Sequence, residues 1–266
     1  MSNESQSSVV PPEPPPVRTA DPERVFYWLK QGWHDLRAAG RPSLLHGLLV
    51  VVLSLAILAT TLLRWELVMI AASCFVFIGP FLATGLYAIS KSLSGGGRPS
   101  VTDAVNGWLH ASKCLFRFGL LLVFACVVWV AFSLAMFYFF VNVRITDPAE
   151  FLRYVLTQHD GLFLLWSILG GLYAALAFSV TVVTMPLLVD RDVTLWLAIR
   201  TSVRAVGENP VTMLWWAMVI LGLTGVSFAS GMLGFLVLYP LMGHASWHVY
   251  SELVDASDLP TYTTVE

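Results

Sequence analysis

Six apolar stretches, at about 43–63, 67–90, 117–142, 161–188, 210–228 and 231–250, decide what this chain can become. Each approaches the roughly 20 residues that an α-helix needs to cross the hydrocarbon layer, and each is too long for a buried strand. Lipid offers no partner to backbone amides, so such segments cross as helices whose hydrogen bonds close internally. The expected fold is an all-α polytopic membrane protein with six transmembrane helices. With 57% hydrophobic and 12% charged residues and a mean hydropathy of +0.73, an ordinary soluble domain is excluded.

The connections are as informative as the spans. At one of them, Gly79-Pro80 lies in an apolar helix that Lys91 and the run Ser94-Gly95-Gly96-Gly97-Arg98-Pro99 bring to an end. Ser100 and Asp103 then have capping-box spacing, and Val101, Ala104, Val105, Trp108 and Leu109 share one helical face. A helix of that kind lies in the headgroup layer. A similar one is expected after Asp21-Pro22-Glu23, with Asp21 as its cap. Val25, Leu29, Trp33 and Leu36 form its apolar stripe, and Arg24, Lys30, Gln31, His34 and Asp35 face away. Residues 1–20 read as a disordered, proline-rich cytosolic tail, 21–255 as the membrane domain and 256–266 as a flexible C-terminal tail. Met1 to Ala20 has no apolar core of a cleaved signal.

Orientation follows from the basic residues, twelve of fifteen of which fall on one side of the six-span arrangement. That side is expected to be the cytosol, holding both termini of a multi-pass protein of the bacterial inner membrane. On the opposite side, the longest connection, 144–160, is expected to hold a short helix entered at Asp147-Pro148.

Internal repetition suggests three units of interfacial helix plus hairpin. Each descending span carries one proline, Pro80, Pro186 or Pro240, and these are candidate helix bends. Ser167, Gly171, Ala175 and Ser179 recur at every fourth position and are expected to seat another helix of the same chain. Gly222, Gly225 and Ala229 offer a second small-residue face. Trp28, Trp33, Trp108 and Trp196 gather at the cytosolic boundary as interfacial anchors.

Reactive chemistry is sparse. No Asp, Glu, Lys or Arg lies in the middle of a span, which weighs against a proton-coupled pump. The glycine run lacks the ending of a phosphate loop, and neither a zinc-protease helix nor a nucleophile elbow is present. His244 and His248, one turn apart, with His46 near the same level, could ligate a metal or haem iron, although no carboxylate in the span supports them. The simpler reading is hydrogen bonding near the interface, and no cofactor is expected. Cys74, Cys114 and Cys126 read as small packing residues, with Cys114 the most reachable. A net charge of -2 without a basic tract argues against bulk electrostatic binding of nucleic acid.

The segments Trp28-Leu29-Lys30-Gln31-Gly32-Trp33-His34-Asp35-Leu36, Ile78-Gly79-Pro80-Phe81-Leu82-Ala83-Thr84-Gly85-Leu86-Tyr87 and Ala198-Ile199-Arg200-Thr201-Ser202 resemble the bacterial integral membrane proteins of domain-of-unknown-function family 2189. Some members are labelled cytochrome c oxidase subunit I, a label that one boundary His pair does not support. The resemblance implies a bacterial inner-membrane address and no known activity. Together these readings favour a non-enzymatic accessory, assembly or lipid-organising subunit whose partners are the bilayer and another membrane complex. A permease for a neutral or lipophilic solute and a haem or metal redox protein are the alternatives.

Overall fold

The computed structural model describes residues 14–63, 67–102, 105, 112–141, 145, 147–157 and 161–262. The anchor Trp108 and most of the second interfacial helix lie outside them. Within the described residues the order is α1 (Arg24–Ala39), α2 (Arg41–Leu63), α3 (Leu67–Leu82), α4 (Thr84–Ser94), α5 (Lys113–Phe140), α6 (Pro148–Thr157), α7 (Leu162–Thr181), α8 (Thr184–Asp190), α9 (Leu195–Glu208), α10 (Pro210–Ala229) and α11 (Phe235–Leu253). Among the described residues, five segments are long and apolar enough to cross a membrane: Arg41–Thr60, Ser73–Ser94, Lys113–Phe140, Leu162–Asp190 and Pro210–Ala229; the sixth expected stretch, 231–250, is not one of them. α6 is the short helix expected in the long connection, and Asp147 Oδ1 accepts the Glu150 N–H at its start.

α11 lies at the centre, packed against α1, α2, α4, α8 and α10. Its buried residues run from Phe235 through Tyr239, Met242, His244 and Trp247 to Leu253, so it is enclosed on nearly every side. A helix so enclosed can carry polar residues that a lipid-facing span cannot. Two glycines set how closely its neighbours approach. A Cβ on Gly32 of α1 would lie 2.7 Å from the Ala245 backbone nitrogen, and one on Gly47 of α2 would lie 2.2 Å from the Leu236 carbonyl oxygen.

Two spans are broken, and each break is closed by side chains from elsewhere. α3 ends two residues after Pro80, which has no N–H to give to the preceding turn. The Gly79 carbonyl accepts from Tyr239 Oη at 2.6 Å, and the Leu82 carbonyl accepts from His46 Nε2 at 2.8 Å. Between α7 and α8, Ser202 Oγ of α9 donates to the Ser179 carbonyl at 2.7 Å and accepts from Val183 N–H at 3.1 Å. Pro186 is the third residue after that break, whereas Pro240 sits inside an uninterrupted α11.

Three sequence expectations are corrected. α1 begins at Arg24 with no side-chain cap; Asp21 contributes its backbone carbonyl to Arg24 N–H. The inner face of α1 is Val25, Trp28, Gly32, Asp35, Leu36 and Ala39, so Asp35 points inward and Trp33 outward. Trp28 is fully buried and therefore no lipid anchor, because its Nε1 donates to Glu252 Oε2 at 2.9 Å and its ring meets Trp216 edge-on.

The small-residue stripe is also corrected. Ser167, Gly171 and Ala175 are exposed, with nothing within 4 Å of a Cβ built on Gly171, and Gly222, Gly225 and Ala229 are exposed as well. The close approach is one residue along, where Trp129 of α5 lies 3.0 Å from a Cβ built on Gly170. Trp129 stacks on Tyr173 at 5.5 Å, and Trp166 Nε1 donates to Ser133 Oγ at 3.0 Å. Aromatic rings span the α5–α7 gap, so α7 turns its glycine toward bulk and its small stripe away.

Gly47→Ala is expected to destabilise the detergent-solubilised protein by about 1–3 kcal/mol or to prevent folding, since backbone would have to move. Gly171→Ala should stay within about 0.5 kcal/mol of wild type. Thermal unfolding followed by circular dichroism distinguishes the two.

Candidate functional site

Where α1, α2, α4 and α11 meet, five polar side chains join in one chain. Asp35 Oδ2 can only accept as a carboxylate, so Ser90 Oγ donates to it at 2.8 Å. The Ser90 oxygen is then the acceptor for His244 Nδ1–H at 2.8 Å. That leaves His244 Nε2 as an acceptor, filled by Ser43 Oγ–H at 2.8 Å. The histidine tautomer is assigned by this donor logic. On the other side, His248 Nε2–H donates to the same Asp35 oxygen at 2.9 Å. His34, 78% exposed, stands 3.8 Å from Asp35 Oδ1 at the outer edge.

Each helix contributes a polar residue that its own environment does not satisfy. Ser43, Ser90 and His244 are wholly buried and Asp35 nearly so. An unpaired polar group there costs roughly 1–3 kcal/mol, and more if charged, so the groups hold one another in place. Burial alone would push the Asp35 carboxyl up. The hydrogen bonds from His248 and Ser90 outweigh it and hold the carboxyl below its ordinary range.

Chemically the arrangement is a clasp. A serine, a histidine and an aspartate are present, but Ser90 stands between the imidazole and the carboxylate, and both serines are sealed from solvent. The three histidines of the sequence reading part company. His248 bonds Asp35 directly and His244 reaches it through Ser90, while His46 goes to Leu82 and stacks near Tyr239 at 6.1 Å. Both His244 ring nitrogens are engaged in hydrogen bonds. No group of three or more His, Cys, Asp or Glu able to hold a metal occurs among the described residues.

The sequence reading missed Asp35, Ser43 and Ser90. Asp35 completes the helical series Val25, Trp28, Gly32, Asp35 and Ala39, a face that competes with the more apolar one built on Leu29 and Trp33. Nothing along the chain marks Ser43 or Ser90 as its partners.

Around the clasp, the same end of the bundle is tied together by charge. Arg24 makes a two-pronged pair with Glu252, at 2.6 and 2.7 Å. Asp190 gathers Lys91 at 3.2 Å, Arg191 at 3.0 Å and Tyr250 Oη at 2.7 Å. Asn209 binds the backbone of Arg18 and Ala20, and Val17 and Val254 form an antiparallel bridge that joins the two terminal segments. Outside this lattice, α1 and α9 present aromatic and cationic groups to the surroundings. Phe26 is 74% exposed and Trp196 67% exposed, with Trp33 beneath the Arg37 guanidinium. Pro14, Trp196, Ile199, Arg200, Val203 and Arg204 line a groove of about 340 Å³.

Residues 67–190, from the start of α3 to the end of α8, match the family described as "Predicted integral membrane protein (DUF2189)", the same family that the sequence resembles. The match includes Ser90 and both broken spans but neither Asp35 nor the two histidines of α11. No curated protein and no solved structure matches the chain.

Ser90→Ala is expected to cost about 1–3 kcal/mol in a denaturant titration, because it strands the His244 N–H and takes a donor from Asp35. The folded Asp35 carboxyl ionises more readily than the unfolded one, so its contribution is complete above about pH 4 and is lost as pH falls through the folded value. The stability gap between wild type and Asp35→Asn should therefore narrow below about pH 4, read from melting temperatures across an acid series.

Proposed function

We propose that this chain, which carries the span-bearing segment of an integral membrane family with no assigned activity, is a non-enzymatic lipid-organising protein of the bacterial inner membrane. It would act as an accessory or assembly subunit beside another membrane complex. The observation that supports this reading is the set of exposed cationic and aromatic groups on α1 and α9, α1 being held by the Asp35 clasp and the Arg24–Glu252 pair and α9 by Ser202. Such a set suits anionic headgroups, with indole rings at the boundary and guanidinium groups beside phosphate.

Six crossings with cytosolic termini fit the same reading. Arg18 N–H bonds to the Leu253 carbonyl, which brings the two terminal segments together and supports an even number of crossings. α11, 19 residues long and joined to α10 by a short turn, would be the sixth. Three interfacial-helix-plus-hairpin units also fit, with α1–α2 and α9–α10 each joined just ahead of a proline, Pro42 or Pro210.

A permease draws on the two broken spans, since unwound backbone can line a solute path. Against it, the Gly79, Leu82, Ser179 and Val183 backbone groups are already bonded to protein side chains. A haem or metal role through His244, His248 and His46 has less support, because the three rings do not face a common point.

Native mass spectrometry from micelles doped with phosphatidylglycerol should find retained anionic lipid, and Arg200→Ala should lower its affinity about fivefold, near 1 kcal/mol for one interfacial charge. A protein recovered bare of lipid would contradict the reading. Thiol labelling of intact cells should mark Gly95→Cys only after permeabilisation and Ser230→Cys before it; the reverse pattern would refute cytosolic termini.

A further inference from the structure

Cys74 of α3 and Cys126 of α5, separated by 52 residues in sequence, place their sulfur atoms 3.3 Å apart. They are two of only three cysteines in the chain, and the third, Cys114, lies near the start of α5. Cys126 is about 20 Å along the helix axis from either end of α5, at a depth that water-borne thiols and glutathione do not reach. Cys74 is half-buried and Cys126 buried. Cys74 thus lies nearer the protein surface with Cys126 behind it, the order of an oxidised thiol and its resolving partner.

We infer that Cys74 and Cys126 form a reversible redox site within the membrane, oxidised to an α3–α5 disulfide by a lipid-soluble quinone. Two S–H bonds break and one S–S bond forms. The two protons and two electrons released pass to the quinone oxygens, giving one quinol per disulfide. Closing the bond brings the sulfurs to about 2.05 Å, a shift of little more than 1 Å that side-chain rotation and a slight helix adjustment can supply. A quinone fits because it partitions into the hydrocarbon layer beside the half-buried Cys74 and accepts two electrons with two protons, leaving no charge in the apolar interior. The bond would pin α5 to α3, a span whose break is held by His46 and Tyr239.

The full chain, reduced and reconstituted in phosphatidylglycerol-containing vesicles, is exposed to decylubiquinone, whose fully substituted ring cannot add thiols. After unfolding in detergent, free thiols should fall from three to one, with an intact-mass loss of about 2 Da that dithiothreitol reverses. Quinol should appear in equal amount. Cys114→Ser should still lose two thiols, and Cys74→Ser and Cys126→Ser should lose none. Three free thiols after quinone treatment, or a bond that includes Cys114 or a second chain, would overturn the site. A bond formed with copper phenanthroline but never with the quinone would overturn the assignment of the oxidant.

Discussion

A polar group taken out of water must find a partner inside the protein, and this requirement organises the molecule. It is most visible where spans break. Each interruption leaves a carbonyl or amide without its helical partner, and in each case a side chain from another helix bonds to it, with Tyr239 adding a second donor to the Gly79 carbonyl that Ala83 already serves. His46 and Tyr239 serve the first break and Ser202 serves the second, accepting and donating through a single hydroxyl. These residues look expendable along the sequence, yet they allow an interrupted span to exist in an apolar setting.

The same requirement explains why the least apolar long helix is central. α11 carries Tyr239, His244, Ser246, Trp247, His248, Tyr250 and Glu252, a set too polar to face lipid, and it is wrapped by helices that answer each group. His248 and Glu252 reach Asp35, Arg24 and Trp28, so α1 is joined to the interior by hydrogen bonds and an ion pair as well as by packing. A surface helix attached in this way is a rigid part of the bundle. Its exposed rings and guanidinium groups therefore keep fixed positions relative to the rest of the bundle.

The other half of the bundle is built differently. Between α5 and α7 the contacts are aromatic, with Trp129, Trp166 and Tyr173 in a continuous stack and few polar groups to satisfy. The paired sulfurs of Cys74 and Cys126 lie beside this stack, against Tyr173. One end is thus held by directional polar bonds and the other by shape.

The sequence by itself determined the class: long apolar runs that only helices can carry through lipid, the short helix after Asp147, and prolines near the interruptions. These are properties of consecutive residues and survive without knowledge of any neighbour. Only the tertiary structure decided how each helix is rotated about its axis. That rotation turned Asp35 and Trp28 inward, turned the Ser167–Gly171–Ala175 stripe outward, and brought Ser43, Ser90 and His244, or Cys74 and Cys126, within bonding distance. On a helix that is apolar all round, hydropathy has no preferred direction. Partner groups on other helices and the bulk of facing rings therefore chose the inner face, and neither is written locally in the chain.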